Sequence, residues 1–317
     1  MEWKGALGRL RSREGLAIIA NRRPYRACHS RDFPLTDLNA LQQLIVVAHH
    51  TYDQTLALRR MEAERYRIQE LETPRYADPR RLLRHGFKVY SQSDEDGIIQ
   101  EIFNRIGVTS RTFIEFGVET GVECNTVKLL VEGWNGLWID GSEQHIATIR
   151  NTFESWVASG HLKLRENIVT ADNINALIDQ ANLGGDIDLL SVDIDYNDYW
   201  VWKAVTTVNP RVVVIEYNAA LRPPMSLVVP YEPMRRWDGT NYFGASLEAL
   251  VKLGREKGYR VVGCNYTGVN AFFVREDVAG DHFIDPATSE EHYEPPRYFY
   301  AFQPAGHRGK PGPYVSV

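Results

Sequence analysis

Three stretches of this chain set carboxylates and glycines where a small ligand can be held. In Phe113-Ile114-Glu115-Phe116-Gly117-Val118-Glu119-Thr120-Gly121 an apolar run ends in an acid and passes into glycines. Gly117 and Gly121 permit a tight turn and a close approach of backbone to ligand, and the helix expected next offers free N–H groups. The Gly-Lys-Ser/Thr of a phosphate-gripping loop is missing, and Glu115 and Glu119 would repel a phosphate, so the loop suits a cationic ligand. A purely structural turn is the plain alternative.

The second stretch, Gly136-Leu137-Trp138-Ile139-Asp140, ends in a carboxylate about 20 residues after the glycines, the position from which an acid accepts hydrogen bonds from a ribose diol. Asp140 could equally cap the following helix; the combined spacing favours a nucleoside. The third pairs Leu190-Ser191-Val192-Asp193-Ile194-Asp195 with Val212 to Glu216 and Asn218. If these are neighbouring parallel strands, Asp193, Asp195, Glu216 and Asn218 meet on one rim. Oxygen ligands so placed suit Mg²⁺, which would lower the pKa of an acceptor hydroxyl. Alternatively Asp193 or Asp195 is a general base and the other acids cap helices. His145 is expected on the nucleoside side as an exposed helix residue.

The long segment Leu221 to Phe243 carries Arg222, Pro223, Pro224, Tyr231, Arg235, Arg236, Trp237 and Tyr242. Aromatic faces and arginines suit stacking on sugars and gripping carboxylates, so this is the expected acceptor loop; covering an apolar patch is the alternative. Ser91 to Gly97 is rich in helix-capping groups ahead of Ile98 to Ile106.

The elements that must position these residues alternate. Strands are expected at Thr112–Phe116, Gly136–Asp140, His161–Leu164, Ile187–Asp193 and Arg211–Glu216, with helices at Val122–Glu132, Gln144–Ala158, Ala171–Ala181 and Tyr199–Val208. A helix at Ser246–Lys257 and two antiparallel strands, Tyr259–Cys264 and Ala271–Arg275, close the series. The fold class is therefore α/β: a mostly parallel, seven-stranded Rossmann-like sheet with a reversed C-terminal hairpin, unlike the continuing parallel crossovers of a nicotinamide-binding domain. Three regions follow: a helical accessory region (1–85), the sheet domain (86–280) and an irregular tail (281–317). In the first, Thr36 and Asp37 cap a long amphipathic helix from Leu38 to Leu71 whose stripe either pairs with a second subunit or packs on its own domain.

From about Ser91 to Arg275 the chain resembles the FkbM-like group of class I S-adenosylmethionine-dependent methyltransferases, on the Glu115–Gly121 loop, Ile139-Asp140, Leu190 to Asp195 and Val212 to Glu216. The resemblance implies methyl transfer from S-adenosylmethionine to a hydroxyl, often on a sugar or natural product. It implies cofactor contacts from Gln92 or Asp96, Glu115, Gly117, Glu119, Gly121 and Asp140, and places Tyr196 at the acceptor pocket. Two positions depart from the group. Tyr196 stands where it commonly has glycine, and Glu119 replaces a small or amide residue. A non-catalytic assembly module that keeps the fold is the alternative that Tyr196 leaves open.

Composition limits the rest. The chain has 317 residues and a formal net charge of −5, which excludes two full catalytic domains and gives no general basis for nucleic-acid binding. Only Met1 to Pro34 is locally basic. Cys28, Cys124 and Cys264 are too scattered for a zinc site or disulfide framework, no transmembrane or secretory pattern is present, and a cytoplasmic protein is expected.

Overall fold

The structure, a computed structural model, describes residues 38–298 and 306–317. The described residues divide after Leu58 into two units. The basic head, Cys28 and the Thr36-Asp37 cap lie outside the described residues. In the first unit residues 38–58 form the beginning of helix α1 (Leu38–Leu71). The expected stripe is not there: Leu44, Ile45, Val46 and Val47 are consecutive and all exposed, and at 3.6 residues per turn such a run encircles a helix instead of marking one face. No helix among the described residues is long and apolar enough to cross a membrane.

The second unit carries the sheet. After α2 (Glu95–Ile106) come β1 (Thr112–Phe116), α3 (Val127–Val131), β2 (Asn135–Asp140), α4 (Glu143–Thr152), α5 (Glu154–Ala158), β3 (Leu162–Glu166), α6 (Ile174–Gln180), β4 (Gly185–Val192), α7 (Asp198–Ala204) and β5 (Val208–Glu216). Then follow a short strand β6 (Leu227–Val228), α8 (Leu247–Glu256), β7 (Tyr259–Cys264), β8 (Asn270–Arg275), two short helices α9 (Glu276–Ala279) and α10 (Ser289–His292), and β9 (Val315–Ser316). The seven-stranded sheet has the order β3-β2-β1-β4-β5-β8-β7. The strands from β3 to β5 pair in parallel, and β8 runs antiparallel to both neighbours. This is the mostly parallel, seven-stranded sheet with a reversed C-terminal hairpin expected from the sequence.

The strands are near-continuous apolar runs because both faces are covered. Neighbouring residues point to opposite sides: Ile114, Leu190 and Val213 enter the core beneath α6, α7 and α8, whereas Phe113, Leu189 and Val212 enter the other, beneath α2 and α4. Two expected helices are shortened by side-chain demands. The segment Val122–Glu132 becomes helical only at Val127, since the amides of Asn125 and Thr126 bond to Glu115. The helix from Gln144 divides at Phe153, whose ring turns inward against Trp138, 4.9 Å between centroids.

The tail is less irregular than expected, because it has polar groups to satisfy inside the unit. β9 pairs with β6, and Arg297 joins three segments. Its guanidinium donates to Glu294 (2.8 Å), to Glu70 near the end of α1 (2.7 Å) and to the Tyr266 carbonyl (2.9 Å), and it lies 4.3 Å over the Tyr266 ring. Tyr76 donates to the same Glu294. Arg297→Ala strands the buried Glu294, and a loss of about 3 kcal/mol or more is expected in urea denaturation; a midpoint shift within error would show the clamp to be dispensable.

Candidate functional site

The strand order reverses between β1 and β4, and ligand clefts of open α/β sheets lie beyond the carboxyl ends at such a point. Pairing of Phe116 with Ile139 and Val192, and of Val192 with Ile215, sets the ends of β1, β2, β4 and β5 on one edge. Here Gly117 is obligatory: its φ is +73°, and a Cβ would stand 1.6 Å from the Asp193 carbonyl oxygen. Bare backbone thus lies where β1 meets β4.

Glu115 shapes the loop without entering the cleft. Its buried carboxylate accepts from the Asn125 amide (2.9 Å), the Thr126 amide (3.1 Å) and hydroxyl (2.5 Å), and the Ser191 hydroxyl (3.1 Å). Burial raises its pKa, and these donors pull it back. The expectation of a direct cofactor contact by Glu115 is therefore corrected, since its oxygens are turned to its own loop. Gly121 is corrected likewise: a Cβ there would touch Trp138 and Phe153, so it faces the core.

A cleft of about 280 Å³ opens beside Gly117. On one side Ile139, Ile168 and Val169 offer an apolar wall, joined by Glu119, Asp140, Ser142, His145 and Asn167. Asp140 is fixed there by the Glu119 amide (2.8 Å), the Ser142 amide (2.8 Å) and His145 Nδ1 (3.0 Å). It orders its own loop and also lines the cleft, so the capping and ligand readings are compatible. An apolar wall beside a fixed carboxylate and bare glycine backbone fits a nucleoside. Ser142, Asn167, Ile168 and Asn197 were not singled out in the sequence; the signal for the first three was their place just beyond the ends of β2 and β3.

Carboxylates gather at the ends of β4 and β5. Oxygens of Asp193, Asp195 and Glu216 lie within 4.8 Å of one another. Asp193 is driven well above the ordinary carboxylate range by burial and then by Asp195, Asp198, Glu115 and Glu119; burial and the neighbouring acids do the same to Glu216. Asp195 is exposed at the cleft rim, and crowding by surrounding protein atoms, then Glu119 and Asp140, raises it to about 6. Beneath them Asp198 is fully buried; its Oδ1 accepts from the Ile194 amide (2.8 Å), whereas its Oδ2 and Glu216 Oε2 have no hydrogen-bond partner. Three convergent carboxylates with an unpartnered oxygen are a donor set for a hard divalent cation. Asn218 does not join them: its amide donates to the Asn241 and Phe243 carbonyls (2.8 and 3.0 Å) and its Oδ1 accepts from the Ala220 amide, which anchors both ends of the segment from Leu221 to Phe243.

Of the expected acceptor residues, Arg235, Arg236 and Trp237 line the cleft with Pro233 and Asn197. Tyr196 and Tyr242 do not; they pack with Val229 and Phe243 in a small core beneath the loop, and the Tyr242 hydroxyl donates to the Pro313 carbonyl. The bulk of Tyr196 is directed into that core, so it supports no blocked pocket. Arg222 is outside the cleft lining, beside Tyr293. Gln92 is exposed and also outside it, and Asp96 accepts from the amides of Val89, Tyr90 and Ser91, ordering its own turn.

No protein-family model matches the chain, and no curated protein matches its sequence. Solved structures similar to it include magnesium protoporphyrin IX methyltransferase from Synechocystis with bound S-adenosylmethionine, at 13% identity and a TM-score of 0.39 over 58% of this chain and 79% of that one. An S-adenosylmethionine-dependent methyltransferase from Clostridium acetobutylicum is similar at 12% identity and 0.38 over 59% and 92%. An O-methyltransferase from Bacillus cereus in complex with S-adenosylhomocysteine is similar at 13% and 0.37 over 68% and 88%.

Glu115→Gln replaces one acceptor oxygen by a donor facing N–H and O–H groups. A loss of about 2–3 kcal/mol is expected in chemical denaturation; unchanged stability would mean that the loop does not depend on this carboxylate.

Proposed function

We propose that the chain is an S-adenosylmethionine-dependent O-methyltransferase acting on a hydroxyl of a glycan or sugar-containing metabolite. The supporting observation is the cleft at the strand-order reversal, where Gly117, Glu119 and Asp140 share one cavity with Asp193 and Asp195. Asp140 suits the ribose hydroxyls, Ile139, Ile168 and Val169 the adenine, and the acids the cofactor's positive charges. Bound there, S-adenosylmethionine supplies a methyl group on a positively charged sulfur.

Asp193, Asp195 and Glu216 are assigned to Mg²⁺, which would lower the pKa of the acceptor hydroxyl. Asp193 and Asp195 are also the candidate acceptors of that hydroxyl's proton, being the carboxylates of this cluster that line the cleft. Cys124 and Cys264 are buried free thiols, which suits a cytoplasmic enzyme. The exposed apolar residues of α1, among them Leu44, Val47 and Leu58, are the candidate surface for a homodimer.

Calorimetry with S-adenosylhomocysteine tests this reading. Micromolar binding is expected for the wild type and a Kd about tenfold higher for Asp140→Asn, while Mn²⁺ titration followed by electron paramagnetic resonance should show a site that Glu216→Ala removes. No S-adenosylhomocysteine binding by the folded wild type would refute the methyltransferase; cofactor binding without a Mn²⁺ site would refute the cation alone.

A further inference from the structure

We propose that the acceptor is an anionic sugar whose carboxylate or phosphate is gripped by Arg236 while Trp237 covers the sugar ring, an assignment that rests on the methyltransferase reading above. The cleft is lined by four acids, Glu119, Asp140, Asp193 and Asp195, and by two arginines. Arg235 is engaged: Glu232 and Asp238 lie 3.8 and 3.7 Å from its guanidinium, which sits 5.6 Å over the Tyr196 ring. His145 is held on Asp140. Arg236 alone of these cations has no hydrogen bond or ion pair with any described residue, and its side chain is exposed at the cleft edge.

The segment that carries it is tied down on both sides of it. Asn197 bonds the Glu232 carbonyl on one side of it. On the other, Asn218 holds the carbonyls of Asn241 and Phe243, and the Asn241 amide donates to the Arg308 carbonyl. Trp237 is fixed too, its Nε1 donating to the Thr240 carbonyl (2.7 Å) and its ring 4.9 Å from that of His307. A planar, unpaired guanidinium beside a fixed indole matches an anionic group on a sugar: the guanidinium takes two oxygens side by side, and the indole takes the apolar face of the ring. A neutral acceptor would leave this exposed cation to water and make no use of it. Anchoring the segment at both ends also reduces the chain freedom lost on binding.

Saturation-transfer NMR on protein loaded with S-adenosylhomocysteine, using D-glucuronate, D-glucose 6-phosphate and D-glucose as probes, tests the assignment. At least one anionic sugar should bind about tenfold more tightly than glucose. Arg236→Gln should erase that preference without changing the S-adenosylhomocysteine Kd, Arg236→Lys should restore part of it, and Trp237→Ala should weaken all three. The comparison between glucuronate and the phosphate identifies which anion is taken. No preference over glucose, no binding of either anion, or a preference that survives Arg236→Gln would overturn the proposal. An intact S-adenosylhomocysteine Kd in those cases leaves the methyltransferase reading standing, whereas its absence in the wild type would remove both.

Discussion

A carboxylate shut away from water must be met by donors, and the structure around the cleft is arranged by how Glu115 is met. Its oxygens take hydrogen bonds from Asn125, Thr126 and Ser191, so the loop after β1, the start of α3 and the end of β4 are tied to one group. Thr126 passes the constraint to β2 by accepting from Trp138 Nε1 (2.8 Å). Moving the loop would strand a buried charge, which costs more than any single loop contact returns. Fixed in this way at the carboxyl end of β4, where Ser191 is the next-to-last residue, the loop delivers Gly117 and Glu119 to the cleft and lets the Glu119 amide orient Asp140.

The second organising feature is negative charge concentrated at the ends of β4 and β5. The neighbouring acids raise the pKa values of Asp193, Asp198 and Glu216 on top of burial, and Glu119 and Asp140 raise that of Asp195 at the exposed rim. Such a group is stable only with protons or cations among its members. Positive charge at the reacting end of the cleft, whether from a bound metal or a sulfonium, relieves that repulsion. The cost of assembling the acids thus becomes a preference for the ligands the proposed reaction uses.

Much of the fold was legible in the sequence because buried parallel strands write themselves as short apolar runs ending in acids and glycines. β1 and β7 fall at the expected bounds, and the reversed β8 follows from the turn after Cys264. What was not legible is where side chains point once two candidates share a segment. Glu115 and Glu119 look equivalent in the sequence, yet strand alternation and the donors of residues 125 and 126 take one inward and leave the other at the cleft. Asn218 and Tyr196 were misread for a similar reason: each lies among candidate site residues but satisfies the segment from Leu221 to Phe243 and its small core. The order in the tail depends on a contact between Arg297 and Glu70, far apart in the chain, which no local pattern announces.

Amide chemical-shift mapping with S-adenosylhomocysteine is the most direct test of whether a nucleoside cofactor occupies the cleft where the strand order reverses. The largest changes are expected at Gly117–Glu119, Gly141–Ser142, Asn167–Val169 and Asp193–Asp195. Changes centred instead on the separate groove lined by Arg255, Arg260 and Thr288, with those residues silent, would contradict that occupancy.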